Sequence, residues 1–172
     1  MFKLDTNSPF LIAEVGQAHD GSLGMAHSYI DAVATTGAHA IKFQTHFANE
    51  ESSQFDRFRV DVFPQDANRF NYWKRMEFTE EQWMGLAKHC KQAGLVFLSS
   101  PFSIKAVEVL QKCDIQAWKL ASGEWNNLPM IEKIIETRKP ILVSTGMANW
   151  VEIDNMLSEL GSASEVVFQC TT

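Results

Sequence analysis

The chain has 172 residues, 45% of them hydrophobic, and a formal net charge of −6. That length suits one domain with one sizeable core, and the acidic balance argues against a general nucleic-acid role, which calls for a basic stripe. Its three cysteines, Cys90, Cys113 and Cys170, show no CxxC spacing, which excludes a metal-knuckle reading and suits free thiols in a reducing cytosol.

The first apolar run, residues 11–16, reads as a strand carrying Glu14, followed by a loop over 17–21. Ala26, Ile30, Val33 and Ala34 then recur at amphipathic spacing, predicting a helix over 22–36 that Gly37 stops. A second strand covers 40–45 and carries Lys42 and Gln44. Residues 46–78, rich in Phe, Asp, Asn and Arg, are the least regular stretch; a loop of that length is functional or carries short elements of its own. Thr79 with Gln82 forms a capping box opening a helix to about residue 94. A third strand over 96–100 holds Ser99 and Ser100 and is ended by Pro101, after which Ser103 caps a helix through 110. The fourth strand, 117–122, carries Lys119 and Ser122, and Gly123 permits a tight exit. Pro129, just after Asn127, marks a helix start. The fifth strand, 141–146, carries Ser144 and Thr145; Asn149 with Glu152 starts a helix to about 160; the sixth strand, 166–171, carries Gln169 and Thr171.

Strand and helix alternate throughout, which argues a parallel sheet with helices outside. No GxGxxG follows the first strand, which counts against a dinucleotide-binding sheet; pattern alone leaves a flavodoxin-like open sheet possible. Polar residues in nearly every strand favour a TIM-type (β/α) barrel, whose ligands gather at the carboxyl ends of its strands. Six βα units stand where a full barrel has about eight, and both sheet edges would stay unpaired. A fragment, or completion by another chain, is the expectation. The N-terminal stretch lacks a secretory signal's basic and long apolar segments, and no run approaches the roughly 18 apolar residues of a membrane span. A cytoplasmic protein is expected.

Side chains alternate along a strand, so if the apolar sets face the helices, Glu14, Lys42, Gln44 and Lys119 point inward. Buried charges are costly unless paired or matched by a ligand. One reading is a structural Glu–Lys pair; the sharper one is an anion site held by two lysines, with Glu14 as an acid/base. Ser99, Ser100, Ser122, Ser144 and Thr145 would add hydroxyls around the same mouth, suiting phosphate or carboxylate. His19 and His46, just past the first two strands, are candidate ligands or substrate contacts; His27, His39 and His89 read as surface. Trp73, Trp83, Trp118 and Trp150 read as core or helix packing, with Trp125 at the mouth.

The stretches LIAEVGQAHDGS, AIKFQTH, FLSSPFS, WKLASGEWNNLPMI, KPILVSTGM and FQCTT together resemble the N-terminal barrel of sialic acid synthases, over residues 10–172. The resemblance implies condensation of phosphoenolpyruvate with an N-acetylated amino sugar of the N-acetylmannosamine type, giving a nine-carbon sugar acid and phosphate. It implies that the enol carbon attacks the open-chain aldehyde, that water adds at the neighbouring carbon, and that phosphate leaves by C–O cleavage. Glu14 would be the acid/base, Lys42 and Lys119 would hold the carboxylate and phosphate, and Ser100, Ser122 and Ser144 would add anion contacts. Gln44 and Glu124 would face the sugar and the reacting centre. The resemblance also implies a divalent cation, Mn2+ or Mg2+, in the complete protein, with metal-binding histidines beyond Thr172. A C-terminal antifreeze-like domain from the partner subunit of a homodimer would close the sugar site. Residues 1–172 would thus be the N-terminal part of the synthase barrel, inactive alone. Ala18 departs from the family's usual Asn before the loop histidine. The SGE form leans toward the sialic or legionaminic branch.

Two other readings remain. In a Schiff-base aldolase of the pyruvate class, Lys42 or Lys119 would be the nucleophile. A non-catalytic truncated paralogue would bind phosphoenolpyruvate at most and serve as an assembly partner.

Overall fold

The computed structural model describes residues 8–58 and 64–170. Within them, strands β1 (Ile12–Gly16), β2 (Ala40–Thr45), β3 (Val96–Pro101), β4 (Trp118–Leu120), β5 (Ile141–Ser144) and β6 (Ser164–Phe168) follow one another in space as in sequence. They form two three-stranded parallel sheets, β1-β2-β3 and β4-β5-β6, with β3 lying beside β4. Strictly sequential parallel order is barrel order. A flavodoxin-like sheet reverses direction at its first strand, so that alternative falls. The fold is a (β/α) barrel of TIM type, represented here by six strands.

Helices α1 (Leu23–Ala34), α2 (Ala48–Glu51), α3 (Arg69–Met76), α4 (Glu80–Gln92), α5 (Ile104–Lys112), α6 (Leu128–Glu136) and α7 (Trp150–Leu160) fill the connections. Their starts follow local chemistry. Ser22 and Ser103 each accept a backbone N–H three residues on, and Thr79–Gln82 and Asn149–Glu152 close full capping boxes. The irregular stretch after β2 contains α2 and α3. Arg75 at the end of α3 clamps it: the guanidinium grips Asp66 (Nε–Oδ1 3.0 Å, Nη2–Oδ2 2.6 Å) and Asp20 (2.5 Å). Gly21 makes this docking possible, since a Cβ there would lie 2.2 Å from the Arg75 carbonyl oxygen.

Alternation splits the strands into two cores. Outward residues such as Ile41, Phe43, Trp118 and Val143 pack with Ile30, Trp83, Leu110 and Ile131 of the helices. Each such large side chain removed from water contributes about 1.5–3 kcal/mol. Inward, a second cluster joins Ala40, Leu98, Ala117 and Leu142, with Ile12, Val166 and Phe168 packed against it. This cluster is the barrel's apolar floor.

Several element expectations need correction. β4 is shorter than residues 117–122, because the chain turns into a 3-10 helix at Ser122–Glu124. β6 begins at Ser164 and ends at Phe168, leaving Gln169 beyond it; Thr171 lies outside the described residues. Trp150 is no packing residue: it stands 79% exposed at the first position of α7. Among the described residues no helix is long and apolar enough to cross a membrane.

Candidate active site

Two residues on from each floor residue, the inward side chain changes character. Ile12 is followed by Glu14, Ala40 by Lys42, Leu98 by Ser100, Ala117 by Lys119, and Leu142 by Ser144. The parallel register sets Glu14 level with Lys42. Along each strand the polar inward side chain thus lies one step nearer the carboxyl end than the apolar floor residue.

The bonds of these side chains are specific. Lys42 Nζ lies 2.8 Å from Glu14 Oε2 and donates to Ser100 Oγ at 3.3 Å. Lys119 Nζ donates to the Leu120 carbonyl at 3.0 Å and to Ser144 Oγ, and sits 5.3 Å from the Phe168 ring centre. Both ammonium groups are buried, while the Glu14 side chain is half exposed. Burial first, and then the charge of Lys42, bring Lys119 down from 10.5 to about 8. The lowered value marks a cation short of counter-charge, ready for an anion. Glu14, Lys42, Lys119 and Ser144 line one cleft of about 210 Å³ with Cys170, whose thiol is held below its ordinary value chiefly by its hydrogen bond with Ser144.

A larger cleft, about 860 Å³, takes in Gln44, Glu124 and Asn127 together with Arg69, Trp73 and Phe102. Burial raises the Glu124 carboxyl above its usual range, against the lowering effect of its hydrogen bond with Asn127 (Nδ2–Oε2 3.0 Å). Gly16, at φ +53°, ends β1 beside Glu14 of the smaller cleft and Gln44 of the larger. A Cβ there would stand 3.1 Å from Glu14 Oε1 and 3.7 Å from Gln44 Nε2, so the bare backbone lets both side chains approach the same point over Gly16.

The structure thus gathers Glu14, Lys42, Ser100, Lys119 and Ser144 together and puts Gln44 and Glu124 in the larger cleft. Ser122 lines neither cleft. Ser99 turns to the outer face, where its hydroxyl meets Thr45 Oγ1 at 2.8 Å, because it alternates with Ser100. Thr145 donates to the Phe168 carbonyl at 2.9 Å, tying the end of β5 to β6. His19 is fully buried against Phe78, and desolvation holds it down to about 4. His27 and His89 bond each other across α1 and α4 (Nδ1–Nδ1 2.9 Å). Trp125 is buried, its indole N–H donating to the Ser144 carbonyl at 2.9 Å.

Sequence reading missed Arg69, Trp73, Phe102 and Asn127 as cleft residues. For Arg69 and Trp73 the signal was the length of the irregular stretch itself. For Asn127, which reads as a helix start, the signal was its nearness to the fourth strand's end. Among the described residues no three His, Cys, Asp or Glu side chains converge as a metal set. The described residues by themselves do not fit the divalent cation that the resemblance implies.

Comparison with known proteins agrees with this geometry. The NeuB family matches residues 29–172. The chain is 32% identical over 170 residues to the N,N'-diacetyllegionaminic acid synthase of Campylobacter jejuni, covering 94% of this chain and 51% of that protein. It is 26% identical over 171 residues to the N-acetylneuraminate-9-phosphate synthase of Drosophila melanogaster, covering 96% and 46%. The chain spans about half the length of the curated relatives it matches. In fold it superposes on the N-acetylneuraminic acid synthetase of Leptospira borgpetersenii with a TM-score of 0.82 at 24% identity, covering 99% of this chain and 59% of the other.

Proposed function

The chain belongs to the NeuB family, and from that premise we propose that it supplies the anion-binding part of a barrel that condenses phosphoenolpyruvate with an N-acetylated amino sugar of the N-acetylmannosamine type, releasing phosphate. The observation that carries this reading is the pair of buried ammonium groups, Lys42 and Lys119, over an apolar floor with the Glu14 carboxylate beside them. A small dianion matches two cations and one displaced hydroxyl network better than any neutral metabolite does.

Lys119 and Ser144 would take one anionic group and Lys42 with Ser100 the other. That holds the enol carbon toward the point over Gly16. Glu14 and Gln44 face that point, and the larger cleft opens beyond it for the sugar. The enol carbon bonds to the aldehyde carbon, water adds at the adjoining carbon, and the C–O bond to phosphate breaks. Glu14 would exchange the proton that the aldehyde oxygen gains or that the water loses. A divalent cation, with ligands outside this chain, belongs to the same proposal as a polariser of the aldehyde, as does a homodimer. No step here is derived through the metal.

Phosphate release from phosphoenolpyruvate, manganese and each candidate amino sugar, by a protein of the relatives' full length, tests the reading. Release that requires the sugar supports it; none with any sugar overturns it. A second reading has one observation in its favour. A lysine lowered to about 8 is also a Schiff-base nucleophile. Borohydride trapping with pyruvate separates the two, since only the aldolase leaves a stable adduct on Lys119.

A further inference from the structure

His46 directly follows β2 and is 97% buried from solvent at the wall of the larger cleft, with 3% of its surface left exposed. Its ring is sandwiched, stacked on Trp73 at 3.8 Å on one side and on Phe102 at 4.0 Å on the other. Glu51 Oε2 accepts a hydrogen bond from the Nδ1–H at 2.6 Å. The other Glu51 oxygen accepts the Phe47 backbone N–H at 2.6 Å, so the carboxylate is itself fixed. Held against the Glu51 carboxylate as an imidazolium, the ring carries a second N–H, and Nε2–H donates to Gln44 Oε1 at 3.3 Å. With its oxygen turned to the ring, Gln44 presents its amide N–H2 to the point over Gly16 that Glu14 also faces. A carboxamide alone would rotate between two nearly equivalent poses; a locked ring with an N–H at Nε2 selects the one that turns the oxygen toward it.

We infer that His46, clamped by Trp73, Phe102 and Glu51, is a positioning residue that fixes which end of the Gln44 carboxamide meets the reacting centre. This rests on the synthase reading for its catalytic meaning, although the positioning itself does not. It also assigns a role to the irregular stretch: α2 and α3 deliver Glu51 and Trp73 to the second strand's end. Such aligning effects are worth about tenfold in rate when lost.

The test uses the full-length protein with His46→Phe, which keeps a flat ring in the sandwich and removes both nitrogens, and Glu51→Gln. The first readout is the side-chain amide signal of Gln44 by NMR, assigned through Gln44→Ala. The inference expects that signal to shift and exchange faster in both variants. The second is a double-mutant cycle on sugar-dependent phosphate release. His46→Phe is expected to lower kcat about tenfold with KM for phosphoenolpyruvate unchanged, and to cost nothing further in the Gln44→Ala background. An unmoved Gln44 signal overturns the inference, as does the same kcat loss with and without the Gln44 amide. A shifted signal in a protein that releases no phosphate keeps the positioning and removes the synthase reading instead.

Discussion

Replacing Lys119 by Met separates an anion site from a structural ion pair. Methionine keeps most of the side-chain length and removes the charge. In the folded protein the Lys119 ammonium has fallen from 10.5 to about 8, chiefly through burial, which corresponds to something on the order of 3 kcal/mol held against the charged form. Removing it therefore relieves a cost. Against that stand the lost hydrogen bonds from the charged ammonium to the Leu120 carbonyl and Ser144, at about 1.5–3 kcal/mol each. At the low end the two sides cancel, so the melting temperature is expected to stay unchanged or fall by a few degrees. Binding should behave otherwise. A charge-assisted bond contributes about 1.5–3 kcal/mol, so phosphoenolpyruvate affinity is expected to fall about 10- to 100-fold. Calorimetric titration with phosphoenolpyruvate reads the second effect and a thermal melt the first. Unchanged affinity with a large drop in melting temperature would refute the reasoning and make Lys119 a structural staple.

The same lysine sets a pH dependence. Its cationic form is the one that holds the anion, so affinity should be full below about 8, fall as pH rises through that value, and lose this slope in Lys119→Met; titrations from pH 6.5 to 9.5 check it. Glu14→Gln removes the carboxylate beside Lys42 and, in the full-length protein, is expected to depress kcat about 100-fold or more while phosphoenolpyruvate affinity changes little, as steady-state kinetics would show. Arg75→Ala breaks the clamp on Asp66 and Asp20 and leaves Asp66 buried without its cation, so urea unfolding should show a loss of about 1–3 kcal/mol. Gly16→Ala forces a methyl onto a residue at φ +53° and against Glu14 Oε1; a loss of about 1–2 kcal/mol is expected in the same assay, with impaired turnover.

The inner layer was legible because a strand's period of two is rigid. Once Ile41, Phe43, Trp118 and Leu120 are given to the helices, Lys42 and Lys119 have nowhere to point but inward, and sequential strand order brings them to one mouth. The same rule separates Ser99 from Ser100, which cannot both reach the mouth: neighbours on a strand face opposite sides, and Ser99 bonds Thr45 on the outer face. Ser122 lies outside the rule altogether: the backbone leaves the strand after Leu120 and turns, so strand parity no longer says where its hydroxyl goes. Residues of the larger cleft were illegible because no period governs them. Trp73 reaches His46 only through the tertiary docking of α3, which depends on the Arg75 clamp and on a glycine at residue 21 that lets two backbones touch. The barrel thus divides its chemistry by how it is encoded. The inward direction of Lys42, Ser100, Lys119 and Ser144 is set by local alternation along their strands. The wall of the larger cleft hangs on a few long-range contacts, so under the proposed synthase reading changes of acceptor are expected to arise in the stretch after β2 rather than in the strands.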